Sequence, residues 1–506
     1  MEASASREAT AAPEHADSGI PPLARLPVFL IAGAVAVLLF ALSGRFGYFG
    51  DELYFLASGK YHFAWGYADN PWLVPALARL MDAIFPGSVM GLRLPATLLT
   101  ALGVVLAALI AREFGGGRRA QTLAAGAYAI SFQLLASGHL LATYTIDPFL
   151  WGLTTWLLVR WVRTRADRLL LLAGLTTALA MQGKFLIVFF WLALGVAALV
   201  LGPRELLRRP ALWAGAVITV LATLPTVLWQ ARNDWPYFDM QAIVAEQVNR
   251  FMGGPWLFVP LAIVFAGVLV GAFLVCHGLW HLLRAPEFRD FRFLGVAVVL
   301  VTAIFVITVG RYYYVSGLYA LLFAASAVRI ERHGAARWWR WVPTWPVYAV
   351  SALLAVALAL PVRPLSWVTT TDFVASGSLG WPQVADTVAT AYRELPPEAR
   401  EHAVVMGDSY WQASALDVYG PERGLPAAYG PERGYWYSGR PADDVTTVLY
   451  VGGQSEVLRT FFTGVRQAGV TRLDANEVNV NQGVVVWLCE GPREPWPRLW
   501  DRMHRA

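Results

Sequence analysis

Two adjacent carboxylates, Asp51 and Glu52, sit within Tyr48-Phe49-Gly50-Asp51-Glu52-Leu53-Tyr54-Phe55, directly after the first apolar run. A carboxylate pair at the mouth of a membrane span is costly in low dielectric and calls for a function. The plainer reading is a pair of solvated loop acids. The surrounding Tyr48, Phe49, Tyr54 and Phe55 argue against it, because such rings settle at a membrane interface. The same loop continues to about Pro86 and carries Trp65, Tyr67, Asp69 and Trp72. Farther along, His139, Asp147, Lys184, Glu246, Arg311 and Tyr312 fall between or at the ends of apolar runs. A carboxylate near a hydroxyl can accept its proton and make it a nucleophile. Fixed cations can hold a phosphate and meet the charge that develops as it leaves. Aromatic rings offer flat platforms for a sugar or a lipid chain. These are the parts needed to transfer a group from a lipid-linked phosphate.

Each part also has a plainer role. Asp147 stands immediately before Pro148, a pairing that serves equally as a helix N-cap. His139 suits an interfacial hydrogen-bonding position, and Arg311 suits the end of a span. Lys184 is more telling: it interrupts an apolar stretch, and Lys60 is the other lysine among 40 basic residues.

The elements that must position these residues are membrane spans. The chain has 506 residues, 57% of them hydrophobic and 15% charged, with a mean hydropathy of +0.48. Apolar runs fall at roughly 27–43, 90–112, 119–137, 145–162, 168–182, 185–201, 211–229, 256–281, 292–309, 312–330 and 343–361. The expected fold is therefore a mainly α, polytopic membrane protein of about eleven transmembrane helices. With residues 1–26 read as a disordered cytoplasmic tail, arginines concentrate in alternate loops, among them Arg118, Arg119, Arg163, Arg165, Arg208 and Arg209. That asymmetry follows the positive-inside rule. The net charge of +5 follows the loops, so it does not suggest a nucleic-acid partner. The expected partners are the bilayer and a lipid. Cys276 and Cys489 are far apart and in no metal-ligand spacing, so no structural metal or disulfide framework is expected.

An odd number of spans places residues 362–506 outside the cell. The tail changes character there. Short β-like runs at 404–406, 447–451 and 484–488 alternate with helix-like stretches near 381–395 and 455–467, which predicts a small α/β domain. Tyr-Gly-Pro-Glu-Arg-Gly occurs twice, at 419–424 and 429–434. Both copies read as turns. The expected organisation is thus the tail, a membrane domain over 27–361 with a catalytic outer loop at 44–89, and an extracytoplasmic domain over 362–506.

In their order, these motifs resemble bacterial glycosyltransferases related to protein O-mannosyltransferases and aminoarabinose lipid A transferases, which have the GT-C fold and use polyprenyl-phosphate sugars. The resemblance rests on Tyr48–Tyr54, on Gly66-Tyr67-Ala68-Asp69-Asn70-Pro71, on Arg93-Leu94-Pro95-Ala96 and on Thr145-Ile146-Asp147. It continues with Gln182-Gly183-Lys184-Phe185, Asn233-Asp234-Trp235-Pro236, Arg311-Tyr312-Tyr313-Tyr314 and, in the tail, Ala415–Gly420. Where such chains often have two prolines, this one has Pro71-Trp72. The resemblance implies an inverting glycosyltransferase that moves a sugar from a polyprenyl-phosphate donor to a hydroxyl acceptor in protein, lipid or cell-wall glycan. Asp51 would be the base, supported by Glu52, and Asp147 a second acid. Lys184, Arg93 and Arg311 would hold the carrier phosphate, and Tyr312, Asp69, Tyr67, His139 and Glu246 would contact substrate. No obligatory metal is implied, although a divalent ion between Asp51 and Asp147 is compatible. A transporter of lipid-linked sugars is the alternative. It predicts internal pseudo-symmetry, and no repeat of the first half is evident in the second. A sensor or scaffold built on the outer domain would leave Asp51, Glu52 and Lys184 without a role.

Overall fold

The computed structural model describes residues 19–369, 372–473 and 478–505; most of the expected N-terminal tail therefore lies outside the described residues. Each of the predicted apolar runs is helical, from Arg25–Ser43 to Trp345–Ala359. By length and apolarity alone, five helices can each cross a membrane: Arg25–Ser43, Val89–Glu113, Pro210–Arg232, Pro286–Ile307 and Tyr312–His333. The remaining runs are shorter or broken. The run at 119–137 divides into Arg118–Ala129 and Phe132–Gly138. The run at 256–281 divides into Phe258–Phe265 and Val270–Arg284, where Gly267 and Val268 adopt positive φ. A left-handed Val is a costly backbone state that a continuous helix does not need. The protein is a multi-pass membrane protein.

The first long connection is not an open loop. It folds into two helices, Gly50–Tyr61 and Leu73–Ile84, with a short bridge between Gly66 and Pro71 in the turn that joins them. Glu52 lies in the first turn of the helix Gly50–Tyr61, where its Oε2 accepts from the Phe49 N–H at 2.9 Å. A carboxylate at this position answers a backbone donor that the helix cannot satisfy internally.

Beyond the last membrane helix the chain folds into an α/β domain. Its strands are β1 (Ala403–Gly407), β2 (Ala428–Tyr429), β3 (Thr447–Val451), β4 (Phe462–Val470) and β5 (Val485–Pro492). They form one mixed sheet in the order β2-β1-β3-β5-β4. β1 is parallel to β2 and β3, while β5 runs antiparallel to β3 and β4. Helix Trp381–Arg393 lies where a helix is predicted near 381–395. The stretch at 455–467 differs: only Ser455–Leu458 is helical, and the rest enters β4. Phe461, Phe462, Thr463 and Val465 favour the pleated state, and the edge of the sheet offers β5 as a partner.

This domain docks on the first helix of the outer connection. Helix Tyr410–Tyr419 packs along Gly50–Tyr61, and the approach is close enough that a Cβ on Gly50 would stand 2.2 Å from the Trp411 ring. Gly434 meets the same helix farther along, where a Cβ would stand 2.0 Å from the Tyr54 hydroxyl. At both positions a side chain would separate the two layers.

Candidate functional site

The docking surface builds the site around Asp51. The Tyr410 hydroxyl donates to Asp51 Oδ1 at 2.7 Å, and the Trp411 indole N–H donates to the same oxygen at 2.8 Å. The other oxygen, Oδ2, takes no hydrogen bond among the described residues. One carboxylate oxygen is therefore anchored and the other is free to act. Burial, and then the charge of Asp51, raise the Tyr410 pKa well above its ordinary value, so its phenol stays a donor. Helix Tyr410–Tyr419 is itself fixed by a capping box, Ser409 accepting from the Gln412 N–H and Gln412 from the Ser409 N–H. Arg433 lies over the Tyr410 ring at 4.2 Å, and Glu432 accepts from the Tyr410 N–H at 2.9 Å. Tyr410→Phe is expected to lower turnover about tenfold, the worth of one hydrogen bond to a charged group, with substrate KM unchanged; steady-state kinetics check this.

Asp51 opens onto a cavity of about 410 Å³. Its polar wall includes Asp51, His139, Arg311, Tyr144, Tyr312 and Tyr313. Its lining is otherwise largely apolar, with Phe46, Phe49, Phe132, Phe265, Leu358 and Leu360. Arg311 is held by two of its nitrogens, which donate to Tyr313 Oη at 2.8 Å and to Gln247 Oε1 at 2.5 Å. Its Nε is buried with no partner. Both ring nitrogens of the buried His139 are likewise unpartnered. A second, tighter cavity of about 10 Å³ shares Tyr144 and Tyr313 with the first and holds Asp147 and Lys184. Asp147 Oδ1 is buried without a partner, and the Lys184 ammonium lies 4.5 Å from the Tyr314 ring centroid. Buried polar groups are nearly always satisfied in folded proteins. Several unsatisfied ones around two adjoining cavities leave hydrogen-bonding capacity that suits a polar ligand.

The structure thus brings Asp51, His139, Arg311, Tyr312, Asp147 and Lys184 to these two cavities. Five residues stand elsewhere. Glu52 and Arg93 form a fully buried ion pair, with Arg93 Nη2 2.6 Å from Glu52 Oε2. Arg93 also donates to the carbonyls of Ser43 and Gly47, and Glu52 Oε1 accepts from Leu141 N–H at 3.0 Å. Arg93 is therefore committed to protein partners rather than open to a phosphate, and the Glu52–Arg93 pair ties together the end of the first span, the helix Val89–Glu113, the outer helix and the turn before Thr143–Thr164. Both lie beside the helix turn that carries Asp51. Glu246 is exposed and lines neither cavity; Gln247 beside it reaches Arg311 instead. Asp69 and Tyr67 lie behind Tyr54, whose hydroxyl donates to Asp69 Oδ1 at 3.0 Å. Burial raises the Asp69 pKa against the pull of Arg433.

Sequence reasoning missed Tyr410, Trp411, Glu432 and Arg433. The last two belong to the second Tyr-Gly-Pro-Glu-Arg-Gly copy, while Arg423 of the first copy pairs with Asp386. Two aromatics opening a capped helix were a visible signal for Tyr410 and Trp411, although nothing local tied them to Asp51. No cluster of three or more His, Cys, Asp or Glu able to hold a metal occurs among the described residues.

Residues 69–229 match the family model described as dolichyl-phosphate-mannose-protein mannosyltransferase. No curated protein matches the chain. Among solved structures, ArnT from Cupriavidus metallidurans bound to undecaprenyl phosphate superposes with a TM-score of 0.60 at 17% identity, covering 91% of this chain and 97% of that one. The apo state of ArnT from the same organism gives a TM-score of 0.58 at 14% identity over the same shares. The fold is the GT-C fold, mainly helical with a small C-terminal sheet.

Proposed function

We propose that this multi-pass protein of the GT-C fold is a glycosyltransferase that moves a sugar from a polyprenyl-phosphate donor to a hydroxyl acceptor. The observation that carries the reading is the larger cavity, which joins a half-free carboxylate and a partly unpaired guanidinium to an apolar wall. A lipid phosphate needs both halves: hydrocarbon against rings, and anion beside a fixed cation. The solved relative that carries undecaprenyl phosphate supports the same donor class, as does the family-model match over 69–229.

The proposed chemistry is a single displacement with inversion. The acceptor hydroxyl gives its proton to Asp51 Oδ2 while its oxygen bonds to the anomeric carbon. The bond from that carbon to the phosphate oxygen breaks, and the lipid phosphate leaves with the electron pair. Arg311 and Lys184 meet the charge on the leaving phosphate, and the reading requires no divalent ion. Tyr410 and Trp411 keep Asp51 turned toward the acceptor. The arginine-rich loops support a cytoplasmic N-terminus, which sets the site and the α/β domain on the extracytoplasmic face of the plasma membrane.

The test is turnover of radiolabelled polyprenyl-phosphate sugars by the full chain in nanodiscs. Release or transfer of one sugar is expected. Movement of intact labelled lipid across a sealed vesicle, without sugar release, would replace the reading with transport. Lys184→Met and Arg311→Gln are each expected to raise the donor KM at least tenfold, since hydrogen bonds to charged groups carry about 1.5–3 kcal/mol. Binding of undecaprenyl phosphate itself should weaken in parallel.

A further inference from the structure

On the other side of Tyr54 from Asp51, the outer connection and the α/β domain enclose a separate cavity of about 260 Å³. His62, Phe63, Tyr67, Trp229, Tyr437 and Ser438 line it. Trp229 comes from the membrane helix Pro210–Arg232 and Tyr437 from the α/β domain; their rings meet edge to face at 5.5 Å. Three polar groups here make no hydrogen bond among the described residues: the Trp229 indole N–H, the Tyr437 hydroxyl and His62 Nδ1. His62 is oriented by its other nitrogen, Nε2, which lies 2.7 Å from Asp417 Oδ2, and Tyr435 donates to the same oxygen at 2.9 Å. Among the described residues, no Lys, Arg, Asp or Glu lines the cavity.

Rings with free hydrogen-bonding groups, in a pocket lined by no Lys or Arg, suit a neutral saccharide. The apolar faces of a sugar pack on aromatic rings, and its hydroxyls pair with N–H, O–H and imidazole groups. A phosphorylated or acidic acceptor would find no Lys or Arg here, and the Asp417 carboxylate stands against His62. The cavity also stands off from the reacting carboxylate. Tyr67 touches Tyr54 at 6.4 Å between ring centroids, Tyr54 touches Tyr410 at 5.1 Å, and Tyr410 bonds to Asp51. It is therefore too far back for the attacking hydroxyl, so an occupant of this cleft is a part of the acceptor remote from that hydroxyl.

Resting on the glycosyltransferase reading, we propose that this cleft is an acceptor subsite that binds a neutral oligosaccharide and makes the enzyme a glycan-extending one. The test uses the full chain in nanodiscs with its donor, a short neutral oligosaccharide, the matching monosaccharide and a serine-containing peptide. Donor hydrolysis to water is followed in parallel. The wild type is expected to prefer the oligosaccharide. Tyr437→Phe, and separately Trp229→Phe, should each raise the oligosaccharide KM about tenfold, as loss of one hydrogen bond does, and leave donor hydrolysis and the monosaccharide KM unchanged. Tyr437→Phe removes a single oxygen, so it keeps the test decisive if the Trp229 variant misfolds. Oligosaccharide KM values unmoved by Tyr437→Phe, or preferred transfer to the peptide, would overturn the subsite while hydrolysis leaves the glycosyltransferase reading standing. Absence of any donor turnover would overturn both.

Discussion

Replacing Asp51 with Asn is expected to lower transfer by about 100- to 10,000-fold, the usual contribution of a positioned general base. Asn keeps the shape of the side chain, and its carbonyl oxygen can still accept from Tyr410 and Trp411, which both bond to Oδ1 in the native protein. What it loses is the oxygen able to take a proton. Folding should therefore be unaffected and donor KM little changed, so the loss appears in kcat. An Asn variant with native kcat would pass the role of base to Asp147, whose buried Oδ1 is unpartnered. Asp51→Asn and Tyr410→Phe should not add, because Tyr410 acts through Asp51. In the Asn background the Tyr410 change should cost little further activity.

The second large effect is on stability, and it separates two roles for Arg93. If Arg93 served the carrier phosphate, Arg93→Met would raise the donor KM in a protein of native stability. The geometry points the other way. Arg93 is 1% exposed, and its guanidinium bonds to both oxygens of Glu52 and to the carbonyls of Ser43 and Gly47. Removing it leaves the Glu52 carboxylate buried and unpaired, which typically costs about 3–5 kcal/mol. Arg93→Met is therefore expected to lower the unfolding free energy in mixed detergent micelles by about that amount. Glu52→Gln should be destabilising too, and the double variant less so than the sum, because the pair is one unit. Donor KM in whatever protein remains folded should stay near the native value. A stable Arg93→Met protein with weakened donor binding would return Arg93 to the phosphate.

The two acids of one dipeptide thus face different surroundings, and the reason is their position on one helix turn. Successive residues on a helix point about 100° apart. Glu52 turns toward the bundle and meets Arg93, while Asp51 turns toward the cavity and the α/β domain. The dipeptide itself cannot show which acid faces which way, since that depends on where the helix starts and what packs against each side.

The sequence by itself determined a mainly helical, multi-pass membrane chain and singled out several of the polar residues that line the two cavities. The apolar runs define the helices because no water is available in a bilayer to satisfy an open backbone. Asp51, Asp147, Lys184 and Arg311 stand out because charge at a span end is costly enough to be rare. Tertiary structure decided everything that depends on which surfaces meet. It broke two runs at Ser131 and Gly267, folded the first outer loop into helices, and drew the chain after Leu458 into a sheet edge. It also joined Tyr410 and Trp411 to Asp51 across some 360 residues of chain. It set the second Tyr-Gly-Pro-Glu-Arg-Gly copy against Tyr410 and left the first to pair with Asp386. Local pattern reports the solvent a segment prefers; the partner it finds depends on long-range packing, in which one glycine at position 50 makes the approach possible.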